Sequence, residues 1–236
     1  MLKNNILITG TKTGLGNFLS KKLNCYKFSR KKNISNYQNK KWDLIIHTGF
    51  FRNGDNIDEV LNCLDVTYKI SKLNSKKIIF ISSMHIHDKK NLTLYKKAKQ
   101  FCELFFDNKK KHYIIRLGSI VGNGMRKNTI YKILFDKNPK VSVSRKSKYS
   151  FVSYNEVLKL ILNVIKQSKT RVINFDRQNP IRINKIAKHF KKKVIYGNFV
   201  FKSSNIKKYK KNQFLKIIND KSSLDILDEF KTKIQK

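Results

Sequence analysis

The chain has 236 residues, of which 40% are hydrophobic, and this is enough to bury one sizeable core. Its formal net charge is +38, but 45 of the 53 basic residues are lysines spread over the whole chain. Without a helix-turn-helix, zinc-finger or RNA-binding signature, this charge indicates a drift in composition, so specific nucleic-acid binding is not expected. Weak, salt-dependent attraction to polyanions is still favoured.

Cysteine usage and hydropathy indicate the cellular compartment of the protein. Cys25, Cys63 and Cys102 lack the short spacing of metal ligands and do not suggest a disulfide framework, so we expect buried free thiols in a reducing compartment. The first apolar run is broken at Thr9-Gly10 and is not a signal peptide, and no apolar run has the length of a membrane span. A cytoplasmic protein without membrane contact is predicted.

The predicted elements alternate between strand and helix from the amino terminus. Strands are predicted at 6–8, 25–28, 42–49, 76–83 and 112–117, and helices at 15–23, 55–73 and 92–106. This alternation predicts an α/β fold with a Rossmann-like, doubly wound parallel sheet and helices on both faces. We expect the strands near 5–9, 43–48, 77–82 and 112–117 to be neighbours or near-neighbours.

The alternation weakens after Gly124. Helices are predicted at 129–135, 155–165, 183–190 and 223–234, strands at 171–175 and 193–196, and strand-like pieces within 141–152. There is no internal repeat and no long linker. We expect a single Rossmann-fold domain over 1–236, with a small substrate lobe built mainly from 125–150 and 176–236.

A glycine-rich turn, Thr9-Gly10-Thr11-Lys12-Thr13-Gly14-Leu15-Gly16, joins the first strand to the first helix. Strand, glycine turn and helix form the context of a dinucleotide site. Gly10 allows the tight turn, Gly14 lets the backbone approach a pyrophosphate, and Gly16 lets helix and strand pack closely. The pyrophosphate is expected at the helix amino terminus, where free N–H groups and the helix dipole favour an anion. The same site is predicted to include Lys12, Thr13, Leu15, Thr48, Gly49, Leu117 and Gly118.

The end of the second predicted strand bears on the type of cofactor. Arg30 lies 20 residues after Gly10, where a carboxylate would bind the ribose of NAD and an arginine accommodates the 2′-phosphate of NADP. Ser29 can add a hydroxyl, and no acid is nearby. We therefore favour NADP(H) over NAD(H), with the alternative that Arg30 is one more solvated cation in a basic chain.

A Tyr-x-x-x-Lys pattern at Tyr95 and Lys99 follows a strand that ends in Ser82-Ser83. Residues four apart share one helix face, and a nearby ammonium would lower the tyrosine pKa, so Tyr95 could exchange a proton with a carbonyl or alcohol oxygen. Ser83 could hydrogen-bond the same oxygen, although the choice between Ser82 and Ser83 is open. The alternative is a lysine-rich surface helix; the order of the motifs favours catalysis by Ser83, Tyr95 and Lys99.

The five histidines show no grouping typical of metal ligands, and no metal site is predicted. His85 and His87 alternate along a segment that we expect to be extended, so they should face opposite ways. They are expected to line or flank the site.

With these motifs, the chain resembles the short-chain dehydrogenase/reductase superfamily over most of its length. It is most similar to the extended branch, the NAD-dependent epimerase/dehydratase family. Asp43-Leu44-Ile45-Ile46-His47 resembles that branch's "DVIIH" strand, Glu103 fits "YxxxKxxxE", and 115–122 and 151–157 resemble "iRlgnvyG" and "fvhvdDva". Three features depart from the pattern of the extended branch. The spacing Gly-x-x-x-Gly-x-Gly is that of the superfamily's shorter branch, and His87 replaces the tyrosine of "VYG". Only eleven residues separate Ser83 from Tyr95.

The resemblance implies an NADP(H)-dependent oxidoreductase or epimerase-type enzyme that acts on a nucleotide sugar through Ser83, Tyr95 and Lys99. A keto-sugar reductase is favoured, because Met84-His85 stands where dehydratases usually have an acid pair. The alternatives are a reductase of another small carbonyl compound and a non-catalytic NADP(H)-binding regulatory or RNA-associated protein. A homodimer is a further expectation.

Overall fold

The computed structural model describes residues 5–28, 33–50, 56–88, 93–107, 112–166, 172–202, 213–218 and 221–235. In chain order the strands are β1 (Ile6–Thr9), β2 (Tyr26–Phe28), β3 (Leu44–His47), β4 (Ile78–Ser83), β5 (His112–Leu117), β6 (Ser119–Val121), β7 (Lys140–Val143), β8 (Lys148–Tyr149), β9 (Phe151–Ser153), β10 (Val172–Phe175), β11 (Ile181–Arg182) and β12 (Ile195–Phe199). The α-helices are α1 (Gly14–Lys22), α2 (Ile57–Ser71), α3 (Leu94–Asp107), α4 (Thr129–Phe135), α5 (Tyr154–Lys166), α6 (Ile183–His189) and α7 (Ser223–Gln235).

Six strands form the central sheet in the order β10-β5-β4-β3-β1-β2, and every neighbouring pair is parallel. The chain leaves β1 for β2 on one side and returns on the other side with β3. Such a switch in direction opens a crevice beyond the carboxyl ends of the two strands, where ligands bind in doubly wound sheets. The prediction that β1, β3, β4 and β5 are neighbours is confirmed.

The strands are buried on both faces, as their continuous apolar runs predict. Leu7, Ile8, Ile45, Ile46 and Ile79 are all 0% exposed. One hydrophobic cluster joins the sheet to α1, α5 and the carboxyl-terminal helices, and a second joins its opposite face to α2 and α3. The predicted α/β class is therefore confirmed. Among the described residues, none of the helices combines the length and hydrophobicity that crossing a membrane requires.

In the described part of the chain, three strand pairs lie outside the central sheet, β6–β9, β8–β11 and β7–β12. The short strand β6 was not predicted, because its three residues follow a glycine and are recognisable only by their pairing with β9. The last predicted strand, 193–196, is displaced to 195–199, since Ile195 is the first residue to pair with β7. The pieces expected within 141–152 are β7, β8 and β9.

A buried ion pair connects α5 to the residues after β10. Arg177 Nη2 donates to Glu156 Oε1 at 2.5 Å, and its Nη1 donates to the carbonyl of Phe151. Glu156 also accepts from the Ser153 N–H at 2.7 Å. This pair explains the carboxylate in the 151–157 segment structurally, because both partners are buried and each satisfies the other.

Candidate active site

A cleft of about 990 Å³ opens at the carboxyl ends of β1, β3, β4 and β5. Its position is the crevice that the sheet topology requires. The residues that line it include Gly10, Lys12, Thr13, Gly14, Leu15, Gly16, Thr48, Gly49, Ser83, Tyr95, Lys99, Leu117 and Gly118. The structure thus brings together the predicted site residues, except Ser29 and Arg30, which lie outside the described residues.

The glycine loop packs so tightly that side chains are excluded at two positions. Gly10 has φ +69°, and a Cβ there would lie 2.6 Å from the Cα of Gly49. A Cβ at Gly16 would lie 2.4 Å from both the Gly10 carbonyl oxygen and Thr48 Oγ1. Any side chain at these positions would separate α1 from β1 and β3. The close approach of helix and strand predicted for Gly16 is what the structure shows.

Helix α1 begins at Gly14 and directs its amino terminus at the cleft. The preceding Thr13 makes no side-chain capping hydrogen bond. The Gly14 N–H donates to the carbonyl of Gly124 at 3.0 Å, which ties the glycine loop to the turn after β6. The remaining first-turn N–H groups, the helix dipole and the exposed Lys12 suit a phosphate group.

A chain of hydrogen bonds fixes the exit of β3 beneath this loop. The Gly49 N–H donates to Thr9 Oγ1 at 3.1 Å, and Thr9 Oγ1 contacts His47 Nδ1 at 2.6 Å. Thr67 Oγ1 donates to the Cys63 carbonyl, so it accepts from His47 Nε2 at 3.0 Å. These directions assign the Nε2–H tautomer to His47, and burial lowers its pKa to about 3. His47 is a neutral positioning residue that joins β1, β3 and α2.

Ser83 and Tyr95 are joined by a side-chain hydrogen bond. Ser83 Oγ also accepts from the His85 N–H at 3.2 Å, so the serine is held from two sides. The Tyr95 ring packs edge-on against Phe50, with 5.6 Å between ring centroids. Burial raises the pKa of Tyr95, and the Ser83 hydrogen bond and the charge of Arg126 oppose that rise.

The expected lowering of the Tyr95 pKa by Lys99 is wrong, because the Lys99 ammonium has other partners. Its Nζ donates to the carbonyl of Ile81 at 2.7 Å and lies 3.8 Å from the centroid of the Phe50 ring. Burial is the main reason why the pKa of Lys99 falls to about 8. Lys99 lines the cleft, but its charge is directed at the end of β4.

The expectation of an extended segment at His85 and His87 is also wrong. Met84–His87 forms a 3₁₀ turn, capped by the hydroxyl of Ser83. His87 Nε2 lies 3.1 Å from Asn174 Oδ1 on β10, and the His85 ring packs beside Phe201. Neither histidine lines the cleft. Among the described residues, no group of three or more potential metal ligands is found.

Ser82 and Ser83 differ in their contact with Tyr95. Ser83 makes that contact, whereas Ser82 Oγ is buried in the cleft wall without a hydrogen-bond partner among the described residues. Successive residues of β4 point to opposite faces of the sheet, which separates the two hydroxyls.

An ion pair between Glu103 and Arg116 holds the helix that carries Tyr95 and Lys99. Arg116 Nη2 donates to Glu103 Oε2 at 2.6 Å, and Nε donates to Oε1 at 3.0 Å. Glu103 is on α3 and Arg116 is on β5, so this fork-shaped contact fixes helix against sheet. It gives a physical reason for a glutamate four residues after Lys99.

Several lining residues were missed by sequence reasoning. They are Phe28, Phe50, Asn62, Met125, Arg126, Asn128 and Tyr154. Arg126 follows a glycine-rich turn just after a strand, which is a usable signal. In a chain with 53 basic residues, that signal did not separate Arg126 from the background.

No protein-family model matches the chain, and no curated protein matches it. Solved structures do match. A UDP-N-acetylglucosamine 4-epimerase from Bacillus cereus aligns over 99% of this chain and 100% of its own, with a TM-score of 0.73 and 16% identity. A dTDP-4-dehydrorhamnose reductase from Bacillus anthracis, in complex with NADP, aligns over 98% and 100%, with a TM-score of 0.76 and 16% identity. RMD from Pseudomonas aeruginosa, complexed with NADPH, aligns over 98% and 100%, with a TM-score of 0.71 and 11% identity.

These likenesses establish a fold. The chain has the architecture shared by NAD(P)-dependent epimerase/dehydratase-type structures and dTDP-4-dehydrorhamnose reductases. The resemblance predicted from the sequence is thus matched by a shared fold. At identities of 11–16%, the chemistry of the site has to be inferred from the residues of this chain.

Proposed function

We propose that the protein is an NADP(H)-dependent oxidoreductase acting on the sugar ring of a nucleotide sugar, as a keto-sugar reductase. The hydrogen bond between Ser83 and Tyr95, in the cleft that also contains Lys99 and the glycine loop, carries this proposal. It is supported by the fold shared with structures described as sugar-nucleotide epimerases and as a dehydrorhamnose reductase.

The cleft fits a nicotinamide dinucleotide. Close packing at Gly10 and Gly16 leaves the backbone of α1 open to a phosphate group, and Lys12 adds positive charge. Lys99, at the other end of the predicted site, would hold the nicotinamide ribose. When bound, such a cofactor supplies a hydride, while the protein supplies orientation and the proton.

The state of Tyr95 favours reduction of a carbonyl. Its raised pKa keeps the phenol protonated at neutral pH, so the hydroxyl is a proton donor. The Ser83 hydroxyl contacts Tyr95 and can bind the same substrate oxygen. Tyr95 would release its proton to that oxygen as the carbonyl becomes an alcohol.

Purified protein is expected to oxidise NADPH when it is offered keto-sugar nucleotides. The Tyr95→Phe variant should lower turnover by about 10²–10⁴-fold, because it removes the proton donor and leaves the dinucleotide site unchanged. Absorbance at 340 nm measures turnover, and fluorescence titration measures NADPH binding. Tyr26→Phe, at an exposed position on β2, is the matched control. Near-full activity of Tyr95→Phe would show that another group supplies the proton.

The preference for NADP(H) is a separate part of the proposal and rests on Arg30. A guanidinium presents a planar fork of donors to a phosphate, and one such contact corresponds to about tenfold to a hundredfold in affinity. We expect NADPH to bind more tightly than NADH, the difference to shrink in high salt, and Arg30→Ala to abolish it, with Lys31→Ala as control. Equal wild-type affinities would make Arg30 a bystander.

The proposal also covers the substrate lobe and the cellular compartment. The substrate lobe is proposed to come mainly from residues 125–150 and 176–236, which agrees with Arg126 and Asn128 lining the cleft. The cytoplasm is the compartment, which agrees with free thiols at Cys63 and Cys102, both buried.

A homodimer is proposed from the outer face of α2 and α3, here called the α2–α3 face. It exposes six large apolar side chains: Ile57, Leu61, Tyr68, Leu94, Phe101 and Leu104. The two helices carry four lysines and five carboxylates, of which Lys96, Lys99 and Glu103 are buried, while the whole chain has a net charge of +38. Association of two copies through this face therefore avoids the repulsion that other surfaces would cause.

A further inference from the structure

Phe50 contacts both members of the Tyr-x-x-x-Lys pattern, and the proposed reaction gives it no role. The Lys99 ammonium lies over its ring, with 3.8 Å between Nζ and the ring centroid. The Tyr95 ring meets the Phe50 ring edge-on, at 5.6 Å between centroids and an angle of 85°. All three side chains line the cleft. One aromatic residue therefore connects the two side chains at the reacting end of the site.

The position of Phe50 is set by the exit of β3. The preceding Gly49 donates its N–H to Thr9 Oγ1 at 3.1 Å, and its Cα lies against Gly10, where a side chain does not fit. The Phe50 ring packs against the hydrophobic clusters of the sheet face that carries α2 and α3. A ring held in this way is in place before a ligand arrives, which lowers the entropy cost of binding.

Lys99 is a buried cation whose direct partners are uncharged. Its Nζ donates to the Ile81 carbonyl at 2.7 Å, and a second ring, that of Phe80, lies 4.7 Å away. An ammonium over an aromatic face is attracted by the quadrupole of the ring, more strongly where water is excluded. Phe50 is the nearer of the two rings, so it contributes more to keeping this amine charged.

The titratable groups around Lys99 do not replace that contribution. They come from β3, α2, α3 and the turn after β6, and they are His47, Cys63, Tyr95, Cys102, Glu103 and Arg126. Burial lowers the pKa of His47 to about 3 and raises the pKa of Cys102 to about 11, so both are neutral. The carboxylate of the set, Glu103, is already paired with Arg116. The ring of Phe50 is thus left to stabilise the ammonium.

We propose that Phe50 is a positioning residue of the reaction, whose ring holds Lys99 as a charged donor for the nicotinamide ribose. This proposal rests on the dinucleotide site of the proposed function. A charged donor forms stronger hydrogen bonds than a neutral amine does. Leucine at position 50 would keep the apolar volume but lose the ring face, so the buried amine would release its proton at a lower pH.

The first test measures the pKa of Lys99 in the full-length protein without ligand. Protein labelled with ¹³C at the lysine ε-carbons is titrated by NMR, and the signal lost in Lys99→Met assigns the residue. The wild-type pKa is expected at about 8. Phe50→Leu should lower it by about one pKa unit, and Phe50→Tyr, which keeps the ring face, should restore it. Phe135→Leu, at a half-buried position on α4 outside the cleft, is the control and should leave it unchanged.

The second test is fluorescence titration with NADPH at two pH values. At pH 8, about half of Lys99 is charged in the wild type and about a tenth in Phe50→Leu, whereas at pH 6.5 most of it is charged in both. Phe50→Leu should therefore bind NADPH about fivefold more weakly than the wild type at pH 8 and less than about twofold more weakly at pH 6.5. Phe50→Tyr and Phe135→Leu should follow the wild type at both.

An unchanged pKa of Lys99 in Phe50→Leu would overturn the proposal. An NADPH affinity that falls equally at both pH values would also overturn it, because such a loss would reflect the shape of the ring and not the charge of Lys99. Turnover of Tyr95→Phe tests the proposed function separately. If Tyr95→Phe is inactive while Phe50→Leu titrates like the wild type, only the role of Phe50 fails. If Tyr95→Phe turns over normally while Phe50→Leu changes as expected, only the catalytic proposal fails.

Discussion

Lys99 is a buried cation, 3% exposed, and the protein is destabilised by keeping it charged. The unfolded chain holds this proton up to its ordinary pKa of 10.5, whereas burial lowers the folded pKa to about 8. The free energy of unfolding therefore rises with pH between these two values. At neutral pH the unfavourable contribution is about 3 kcal/mol, at ~1.4 kcal/mol for each pKa unit. A site residue with this cost indicates a role other than stability.

The variant Lys99→Met is expected to be more stable than the wild type at pH 7, by up to ~3 kcal/mol, and to lose turnover. The gain should shrink as pH rises towards 10, because the wild-type amine is then neutral in the folded protein. Urea unfolding at both pH values measures the effect. Lys97→Met, an exposed position on the same helix, is the control. A gain that is larger at pH 10 would contradict this account.

At this scale the sequence could predict which side chains meet, but not how their charges and hydrogen bonds are arranged. Gly10, Ser83, Tyr95 and Lys99 were predictable because each belongs to a local pattern with a fixed position relative to a strand or helix. The link from Thr9 to His47 spans 38 residues, and no local pattern encodes it. The orientation of Lys99 depends on Phe50 and the Ile81 carbonyl, which come from other elements.

Helix α3 presents both Tyr95 and Lys99, so its placement on the sheet decides the geometry of the site. The Glu103–Arg116 pair contributes to that placement with a side chain on each element. Glu103→Ala should lower the free energy of unfolding by about 2–3 kcal/mol, less than the ~3–5 kcal/mol of a fully buried pair, because Arg116 is partly exposed.

The matched comparison for this prediction is Asp65→Ala, which removes the exposed ion pair with Lys69 on α2. That change should cost less than about 0.5 kcal/mol. Chemical denaturation followed by circular dichroism distinguishes the two. Equal losses would mean that the Glu103–Arg116 pair does not fix α3.

At the level of elements, the apolar runs predicted where the core strands lie along the chain. The 3₁₀ turn at Met84–His87 did not, since it forms because the Ser83 hydroxyl caps it. The pairings of β6 with β9 and of β12 with β7 also depend on contacts distant in sequence.

The whole molecule has a net charge of +38, and within its described part the α2–α3 face carries little of that positive charge. Sedimentation analysis is expected to show a species of twice the 27.8 kDa chain mass. Leu104→Glu should give monomers, because it places a charge at the centre of an apolar contact. Leu162→Glu, an exposed leucine on α5, should leave the dimer intact. A monomeric wild type would refute the proposed dimer.

The hydrogen bond from the Gly14 N–H to the Gly124 carbonyl joins the loop assigned to the cofactor to the turn that precedes Arg126. We expect two ligands that bind next to this contact, the dinucleotide and the nucleotide sugar, to influence each other's affinity. If the dinucleotide changes the affinity for the nucleotide sugar by some factor, the nucleotide sugar must change the affinity for the dinucleotide by the same factor. We therefore expect the strength of this coupling to depend on a single peptide N–H at the start of α1.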